Sequence, residues 1–449
     1  MDLTLIGTLA ARDGLITSAP LVKPKASTTK RDDLSIDREI YAKLRAHVQE
    51  TARRQMRLDE MAQSRDAVAR NRFKSMVLQA VRDLDVRVAV TETEALVQKL
   101  YDDILGFGPL EKYFFDPDVT EIKILRWDHI RIEKHGREFR VEDRFENEEH
   151  ARNVVDRMIA PTGRRLDLAN PRVNARLFDG SRLIAHIPPV AVEGITATIR
   201  RFRKDMTVEN LMKRGVMSPE VLEFLKAAVR ARMNIIISGG TSSGKTTLLN
   251  CLASFIPDEE SLITIEDPAE LQLQHDNVRR LEARPANLEG QGAVTQRDLM
   301  VDALRMAPKR IIIGECRAGE TFDMLQAMNT GHAGSMSTAH ANSARHCIRR
   351  LANMVQMAEL DLPYDAIIDQ IADAINLIIH VLKDRDGRRR LDHIVEILGV
   401  KRSVDGRSVD VELNELWRYN PETGTFVWTA KECRCRETLV RDGGWRCPW

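Results

Sequence analysis

Apolar residues recur in three different patterns along the chain, and each pattern predicts a different kind of segment. Between Ile36 and Ile104 they return every three or four positions, which indicates amphipathic helices. In the stretch 120–199 short runs alternate apolar and polar residues, as in half-buried strands. From residue 234 onward the apolar runs become continuous and alternate with helix-like stretches, which predicts a mostly parallel sheet. The continuous runs are Asn234–Ser238, Ser261–Ile265 and Arg310–Gly314.

The same patterns divide the chain into segments. The first of them mixes proline, serine and basic residues without periodicity, so we expect it to be disordered. Near the end, the turn-like residues 384–387 lie between two apolar runs and predict a hairpin, and the polar tail that follows predicts a short strand pair or an appended segment. The predicted segments are a leader at 1–33, a helical module at 34–110, an α+β domain at 111–205, a linker and helix at 206–230, an α/β domain at 231–400 and a C-terminal appendage at 401–449.

Composition and charge narrow the classes of function. The chain has 449 residues, and its 68 basic and 67 acidic side chains nearly cancel, leaving a formal charge of +1. This balance argues against bulk binding of nucleic acid or anionic lipid, so no nucleic-acid partner is expected. No apolar stretch approaches the length needed to cross a bilayer, and the run Leu3–Leu9 meets Arg12 too soon for a secretory signal. We therefore expect a cytoplasmic protein.

The cysteines allow two interpretations. Cys251, Cys316 and Cys347 lie in the predicted α/β domain and are read as small reduced core residues. Cys433 and Cys435, together with Cys447, could supply three thiolates to zinc, but no fourth ligand stands at a recognisable spacing. Free thiols on a tail are therefore the favoured interpretation.

A glycine-rich loop follows the first continuous apolar run and precedes a helix-like stretch, which is the context of a P-loop. Its glycines let successive amides point at one centre, where the helix N-terminus adds its positive end. Lys245 would reach the β- and γ-phosphates of ATP, and the Thr246 hydroxyl would be a ligand of Mg²⁺. The residues predicted to bind nucleotide here are Gly239, Gly240, Thr241, Ser242, Ser243, Gly244, Lys245, Thr246 and Thr247.

Acids follow the next two predicted strands. Glu315 comes directly after the third apolar run and Gly314, where it could hold metal-bound water or polarise the attacking water, and the second role is preferred. Glu266 and Asp267 would supply a second acid pair near Mg²⁺, with Asp267 as a metal ligand and Glu266 as a catalytic acid. The alternative is that these acids only favour a helix N-terminus through its dipole.

Histidines and arginines complete the candidate site. His332 and His340 lie in a polar glycine loop, where they are either structural or report whether the γ-phosphate is present; no metal is assigned to them. Arg297 and Arg305 precede the third apolar run and are candidate arginine fingers, together with Arg284. The predicted α+β domain is rich in arginine, and one or two of these side chains could reach a phosphate.

Together these pieces resemble the secretion-ATPase superfamily of type II and type IV secretion and type IV pilus assembly, and within it the CpaF-like motors of Tad pili. The resemblance covers roughly residues 96–400. The motifs that carry it are Gly106–Leu110, Asp179–Arg182, the P-loop Gly239–Thr246, Ile263–Leu271, Ala303–Met306, Ile313–Arg317 and Thr338–Ser343.

The resemblance implies an α/β fold with a RecA-like P-loop ATPase domain, an N-terminal α+β domain and a preceding small helical module. It implies a homo-hexameric ring that binds ATP and Mg²⁺ between the two domains and works, in the cytoplasm at the inner membrane, on a platform protein of a pilus or secretion system. Membrane association would be peripheral, through that partner. By the same resemblance, the residues that sense phosphate from the N-terminal domain are Arg176, Arg182, Arg200 and Arg201.

The resulting hypothesis is an ATP-hydrolysing motor for pilus assembly, pilus retraction or protein secretion, and the sequence leaves the choice among these three open. Two other functions were weighed. A DNA-translocating RecA-like motor is disfavoured by the near-neutral charge. A nucleotide-gated scaffold without catalysis is disfavoured because Lys245, Thr246, Glu266 and Glu315 are all present.

Overall fold

The computed structural model describes most of the chain. The described residues are 36–55, 67–201, 207–284, 286, 290–384, 386–403 and 409–446. The predicted leader at 1–33, the end of the predicted α+β domain with the first residue of the linker (202–206), and Cys447 lie outside them. None of the helices within the described ranges combines the length and the apolar character that a bilayer crossing requires.

Three helices form the first unit of the described chain. They are α1 (Arg38–Gln55), α2 (Ala67–Asp83) and α3 (Val90–Ile104). Leu44, Phe73 and Leu100 are fully buried between them, as the helical spacing of apolar residues predicts. The hydroxyl of Tyr41 on α1 donates to Asp103 on α3 at 2.6 Å, so a polar contact also joins the first helix to the third.

An antiparallel sheet with one long helix follows. After the short helix α4 (Glu111–Phe115), the chain forms six strands and α5 (Glu148–Ile159). The strands are β1 (Val119–Arg126), β2 (His129–Lys134), β3 (Arg137–Arg140), β4 (Arg172–Arg176), β5 (Arg182–His186) and β6 (Thr196–Arg200). Their order in the sheet is β3-β2-β1-β6-β5-β4. Val154, Val155 and Met158 of α5 are buried in the core of this unit.

The second sheet has nine strands. They are β7 (Ile235–Gly239), β8 (Leu262–Glu266), β9 (Val278–Glu282), β10 (Arg310–Ile313), β11 (Met336–His340), β12 (Leu377–Lys383), β13 (Arg389–Arg402), β14 (Val409–Asn420) and β15 (Thr425–Trp428). Their order is β15-β14-β13-β12-β7-β11-β10-β8-β9. The neighbouring strands β12, β7, β11, β10, β8 and β9 pair parallel in that order. The neighbours β12, β13, β14 and β15 pair antiparallel. The sheet is therefore mostly parallel around β7, as the continuous apolar runs predict.

Helices cover this sheet. They are α6 (Val208–Lys213), α7 (Pro219–Arg230), α8 (Lys245–Ala253), α9 (Gln296–Arg305), α10 (Glu320–Asn329), α11 (Ala344–Gln356), α12 (Tyr364–Ala374) and α13 (Arg436–Arg441). Every residue of β7 and of β8 is buried, because apolar side chains pack on both faces of these central strands. Two apolar cores result, one on each face.

The predicted boundary at residue 400 lies inside one strand. β13 runs through Val400 to Arg402, and β14 and β15 continue the same sheet. The tail then returns to α7, where the ring of Trp445 lies 5.4 Å from that of Phe224 in an edge-to-face contact. The predicted appendage is therefore an extension of the second sheet that packs on its first long helix.

Candidate functional site

The P-loop lies between the last residue of β7 and the first turn of α8. A Cβ atom on Gly239 would lie only 2.3 Å from the main-chain oxygen of Val381 on the neighbouring strand β12. Gly244 precedes α8 with a φ of 97°, a left-handed conformation that glycine adopts without a steric cost. The unpaired N–H groups of the first turn of α8 and the positive end of its dipole face this loop, which makes it a favourable place for an anion.

Lys245 is a buried lysine whose ammonium group lies within the loop. Its Nζ donates to the carbonyl oxygen of Gly240 at 2.9 Å and lies 3.4 Å from Nε2 of His340. Burial lowers the pKa of Lys245 to about 8, although the nearby Glu315 carboxylate acts in the opposite direction. At neutral pH the ammonium therefore remains mostly charged in a place where water hydrates it poorly, and such a charge gains free energy from a bound anion.

Glu315 and His340 stand beside Lys245 because three parallel strands end together. His340 is the last residue of β11 and pairs with Gly239 of β7, while Glu315 follows the end of β10. Oε1 of Glu315 lies 2.9 Å from Nε2 of His340, and its Oε2 lies 2.7 Å from Nη2 of Arg317. Burial and the charge of Lys245 lower the pKa of His340, so the imidazole is neutral at pH 7. Lys245, His340 and Glu315 thus form one run of contacts, which we call the site triplet.

Glu266 is buried behind this site. Its Oε1 accepts hydrogen bonds from the amides of Glu270 and Leu271, both at 2.8 Å, whereas no donor among the described residues reaches its buried Oε2. Burial raises the pKa of Glu266 to about 7. An acid with one anchored oxygen and one open oxygen can accept a water molecule or a cation.

Asp267 differs from Glu266 in its surroundings. Its side chain is exposed, and the contact made by the residue is through its main-chain oxygen, which accepts from Nη1 of Arg317 at 3.3 Å. The acid whose place is fixed by the fold is therefore Glu266, and a metal-binding role of Asp267 stays a prediction.

A cavity of about 640 Å³ lies between the first sheet and the P-loop, which is the size range of small-ligand sites. The second sheet contributes the P-loop, Glu270 and Arg389 to its wall, and the first sheet contributes Arg182 and Arg200. From the P-loop itself, the residues that line the cavity are Ser242, Ser243, Gly244, Lys245, Thr246 and Thr247. Gly239, Gly240 and Thr241 complete the loop.

The four predicted phosphate sensors have different positions. Arg182, Arg200 and Arg201 line the cavity, whereas Arg176 lies 3.6 Å from Glu282 of β9 in an ion pair. Nη1 of Arg201 donates to main-chain oxygens of β1 and of the segment just before β1. This guanidinium is therefore anchored within its own domain. Arg182 and Arg200 are therefore the two that best fit the predicted role.

The predicted arginine fingers do not line the cavity of their own chain. Nε of Arg297 lies 3.1 Å from Oδ2 of Asp323 on α10. Arg305 is an exposed residue of α9 whose Nη1 lies 4.0 Å from Asp302. The third candidate, Arg284, forms an isolated bridge with Val294. The role of these residues as arginine fingers stays a prediction.

His332 does not line the cavity of its own chain, and its role as a phosphate reporter stays a prediction. His332 precedes β11, and its Nδ1 lies 3.0 Å from the main-chain oxygen of Pro308, just before β10. Parallel strands bring their carboxyl ends together at the edge that holds Gly239, so residues before β11 lie at the opposite edge. Of the two histidines in this stretch, His340 lies next to Lys245, whereas His332 lies at the opposite edge of the sheet.

The sequence motifs did not identify Arg389 and Glu133 as site residues. In the structure these two residues connect the first sheet to the P-loop. Nε of Arg389 donates to the main-chain oxygen of Ser242 at 2.8 Å, and its Nη2 donates to Glu133 of β2 at 3.3 Å. Lys383 lies 3.6 Å from the other oxygen of Glu133. The three arginines at 388–390, directly after the predicted hairpin turn, were a visible signal, but the pairing of β12 with β7 was not.

A second missed group lies on β12 and β13, next to the P-loop strand. Oγ of Ser238 lies 2.8 Å from Nδ1 of His380, whose ring stacks on that of His393 at 5.1 Å. Nδ1 of His393 lies 2.7 Å from Asp392. Burial lowers the pKa of His380 to about 4, so the ring is neutral and holds the end of β7 by a hydrogen bond.

Comparisons with known proteins show which proteins this chain is similar to. The sequence profile of the family described as type II/IV secretion system protein matches residues 103–441. A Mycobacterium tuberculosis protein named for conjugal transfer is 35% identical over 324 residues, which cover 71% of this chain and 90% of that protein. The type IV secretion system protein PtlH of Bordetella pertussis is 34% identical over 254 residues, covering 51% of this chain and 74% of that protein.

Among solved structures, the chain is similar to the VirB11 ATPase of the Brucella suis type IV secretion system. The match has 28% sequence identity and a TM-score of 0.35, and it covers 64% of this chain and 91% of the VirB11 chain. The pilus retraction motor PilT with bound ADP matches with 19% identity and a TM-score of 0.46, covering 73% of this chain and 84% of that chain.

Proposed function

Because the chain belongs to the type II/IV secretion system protein family, we propose that it is an Mg²⁺-dependent ATPase that powers a Tad or type IV-like pilus, or a type II/IV secretion machine. The observation that carries this proposal is the site triplet, in which His340 lies between the P-loop lysine and Glu315 and contacts both. A phosphate-binding loop needs only the lysine and the amides, whereas hydrolysis also needs an acid next to the terminal phosphate.

The residues of the loop fit Mg²⁺-ATP. The loop offers amides and the Lys245 ammonium to the phosphates, and Thr246 lines the same cavity with a hydroxyl group. Thr246 and Asp267 would hold Mg²⁺, and the open Oε2 of Glu266 could bind a water molecule of the ion. The Mg²⁺ ion would neutralise negative charge on the phosphate oxygens.

Glu315 would orient the attacking water and receive its proton. The hydrogen bond from His340 and the ion pair with Arg317 fix both oxygens of this carboxylate, so its direction is set before substrate binds. Lys245 would exchange its contact with Gly240 for contacts with the phosphates. Its positive charge would then stabilise the negative charge that develops on the phosphate oxygens during hydrolysis.

Work would come from the cavity between the two sheets. Arg182 and Arg200 lie on the first sheet, and the P-loop lies on the second. A triphosphate that contacts both would favour the arrangement in which the two sheets are close together. ADP would stabilise that arrangement less, because it lacks the third phosphate. We propose an N-terminal α+β domain at 111–205, preceded by the helical module at 34–110, that moves against a RecA-like domain at 231–400. The assembly would be a homo-hexamer that acts, in the cytoplasm and peripherally at the inner membrane, on a platform protein.

The test is a comparison of wild type, Glu315→Gln and the control Glu422→Gln, which changes an exposed turn between β14 and β15. Phosphate release from Mg²⁺-ATP, ATP binding and molar mass in solution are measured, with and without a candidate platform protein. We expect Glu315→Gln to lose about 10²- to 10³-fold in turnover while keeping ATP binding and the ring. Unchanged turnover in this variant would overturn the assignment.

Two further outcomes would replace the proposal. Strong stimulation of hydrolysis by single-stranded DNA would favour a DNA-translocating motor. A wild-type hexamer that binds ATP and releases no phosphate would be a nucleotide-gated scaffold.

A further inference from the structure

Two cysteines and a glutamate meet at the point where the C-terminal segment crosses the second sheet. Glu396 belongs to β13, whereas Cys433 and Cys435 lie between β15 and α13. Their ligand atoms all lie within 4.8 Å of one another. We call these three residues the tail cluster; no residue of it lines the cavity next to the P-loop.

The distances within the tail cluster match those between ligands of one metal ion. Sγ of Cys433 lies 3.3 Å from Sγ of Cys435 and 3.8 Å from Oε2 of Glu396. Tetrahedral zinc with Zn–S bonds of about 2.3 Å and Zn–O bonds of about 2.0 Å places its sulfur ligands about 3.8 Å apart and sulfur and oxygen about 3.5 Å apart. Small movements of side chains would therefore complete such a site.

The carboxylate is held in place for this purpose. Glu396 is only 2% exposed, and its Oε1 accepts from Nδ2 of Asn414 at 2.6 Å and from the amide of Arg434 at 3.0 Å. Its Oε2 faces the thiols and accepts from the amide of Cys435 at 3.2 Å. Ligands of structural metals are commonly oriented in this way by neighbouring hydrogen bonds.

We propose that Glu396, Cys433 and Cys435 bind a Zn²⁺ ion that fastens the C-terminal segment to the sheet. Two thiolates select a borderline-soft ion such as Zn²⁺ over Mg²⁺ or Ca²⁺, which prefer oxygen ligands. A water molecule would complete the tetrahedron as the fourth ligand. This assignment is independent of the proposed ATPase activity.

Binding must displace protons. The sulfur ligands of Zn²⁺ are thiolates, whereas a free cysteine thiol is mostly protonated at pH 7. Each thiol then gives its proton to the solvent as its sulfur becomes a ligand, and apparent affinity falls as the pH is lowered.

The position of the tail cluster determines what the ion would do. The chain continues from Cys435 into α13 and then to Trp445, which packs against Phe224 of α7. The ion would therefore hold α13 and Trp445 over α7 and join the last part of the described chain to the sheet that carries the P-loop. Removing it should loosen this segment before it disturbs β7.

The first experiment measures metal in the full chain. Protein is purified under reducing conditions without metal-affinity steps, and its zinc content is compared with that of Cys433→Ser/Cys435→Ser and of Glu396→Gln. Cys251→Ser, which removes a thiol on α8 outside the tail cluster, is the matched control. We expect about one zinc ion per chain in wild type and control, loss of it in the double variant and weaker retention in Glu396→Gln.

The second experiment uses wild type alone, so it does not depend on the folding of a variant. Metal-free protein is titrated with Co²⁺, and the thiols are then alkylated and located by peptide mass spectrometry. We expect a thiolate-to-cobalt absorption band and protection of Cys433 and Cys435 from alkylation, reversed by Zn²⁺ competition. Zinc content equal in wild type and double variant, a Cys433–Cys435 disulfide in place of metal, or alkylation unaffected by Co²⁺ would each overturn the proposal.

Discussion

Replacing Lys245 by methionine should make the nucleotide-free protein more stable while destroying its affinity for ATP. Lys245 is only 7% exposed, and its ammonium group is charged but poorly hydrated at pH 7. Methionine fills a similar volume without a charge, so the variant avoids the cost of burying it. In the wild type, the free energy lost by burying the Lys245 ammonium is offset when this charge contacts a bound triphosphate.

The magnitude follows from the pKa of Lys245. Its fall from 10.5 to about 8 corresponds to about 3 kcal/mol, at about 1.4 kcal/mol for each pH unit. Between these two pH values the unfolded chain binds more protons at this site than the folded chain, so the stability of the wild type rises with pH. Below pH 8 the whole cost is present. The advantage of Lys245→Met should therefore be largest near pH 7 and should shrink by about 2–3 kcal/mol as the pH approaches 10.

The assay is thermal unfolding of wild type, Lys245→Met and Lys309→Met between pH 7 and 10. Lys309 is exposed before β10, at the edge opposite the P-loop, and serves as the matched control. The transition that Mg²⁺-ATP raises in the wild type identifies the domain in question. At about 2–4 °C per kcal/mol, the variant should melt several degrees higher near pH 7 and should not respond to nucleotide.

Two results would refute this reasoning. If Lys245→Met melts at or below the wild type near pH 7, the lysine contributes more through its contacts than its charge costs. If the variant is more stable but the difference stays constant up to pH 10, the gain comes from packing and not from the charge. Lys309→Met should follow the wild type throughout.

Three further predictions concern the same sheet. Gly239→Ala should abolish Mg²⁺-ATP binding in calorimetry without unfolding the chain, because its Cβ would lie 2.3 Å from the Val381 oxygen and must displace the loop; wild-type affinity would contradict this. Arg389→Ala should weaken the same binding about 3- to 10-fold, since it removes a hydrogen bond to the P-loop worth about 1 kcal/mol; an unchanged Kd would exclude such a role. Arg310→Met should lower the free energy of unfolding by about 3–5 kcal/mol in a denaturant titration. The reason is that the fully buried Arg310 pairs with Glu260 at 2.8 Å through two nitrogens. A loss under 1 kcal/mol would show that Glu260 finds other partners.

The part of the site that lies at strand ends could be predicted from the sequence. Continuous apolar runs identify strands buried on both faces, and parallel strands bring the residues after them to one edge. This argument brings Gly239 and Glu315 together without any knowledge of strand order. His340 lies at the same edge, in register with Gly239, but its strand has no apolar run and was predicted as a loop.

Residues that approach from elsewhere could not be predicted in the same way. His332 and His340 occur in one loop-like stretch, but β11 separates them, so the two rings lie at opposite edges of the sheet. Arg389 reaches the P-loop because β12 pairs with β7, and strand order is not encoded in local periodicity. Glu133 reaches Arg389 only through the contact of the two sheets, which no spacing along the chain records.

The tail cluster shows why a search for spacing fails at a site built across a sheet. Cys433, Cys435 and Cys447 are visible in the sequence as three possible thiolate ligands. No fourth ligand stands at a recognisable spacing, so free thiols were the simpler interpretation. The third ligand atom instead belongs to Glu396, which lies 37 positions before Cys433. Two antiparallel turns, from β13 to β14 and from β14 to β15, return the chain to this residue. Glutamates are common on strand surfaces, and the feature that distinguishes Glu396 is its burial, a property of the folded sheet and not of the neighbouring sequence.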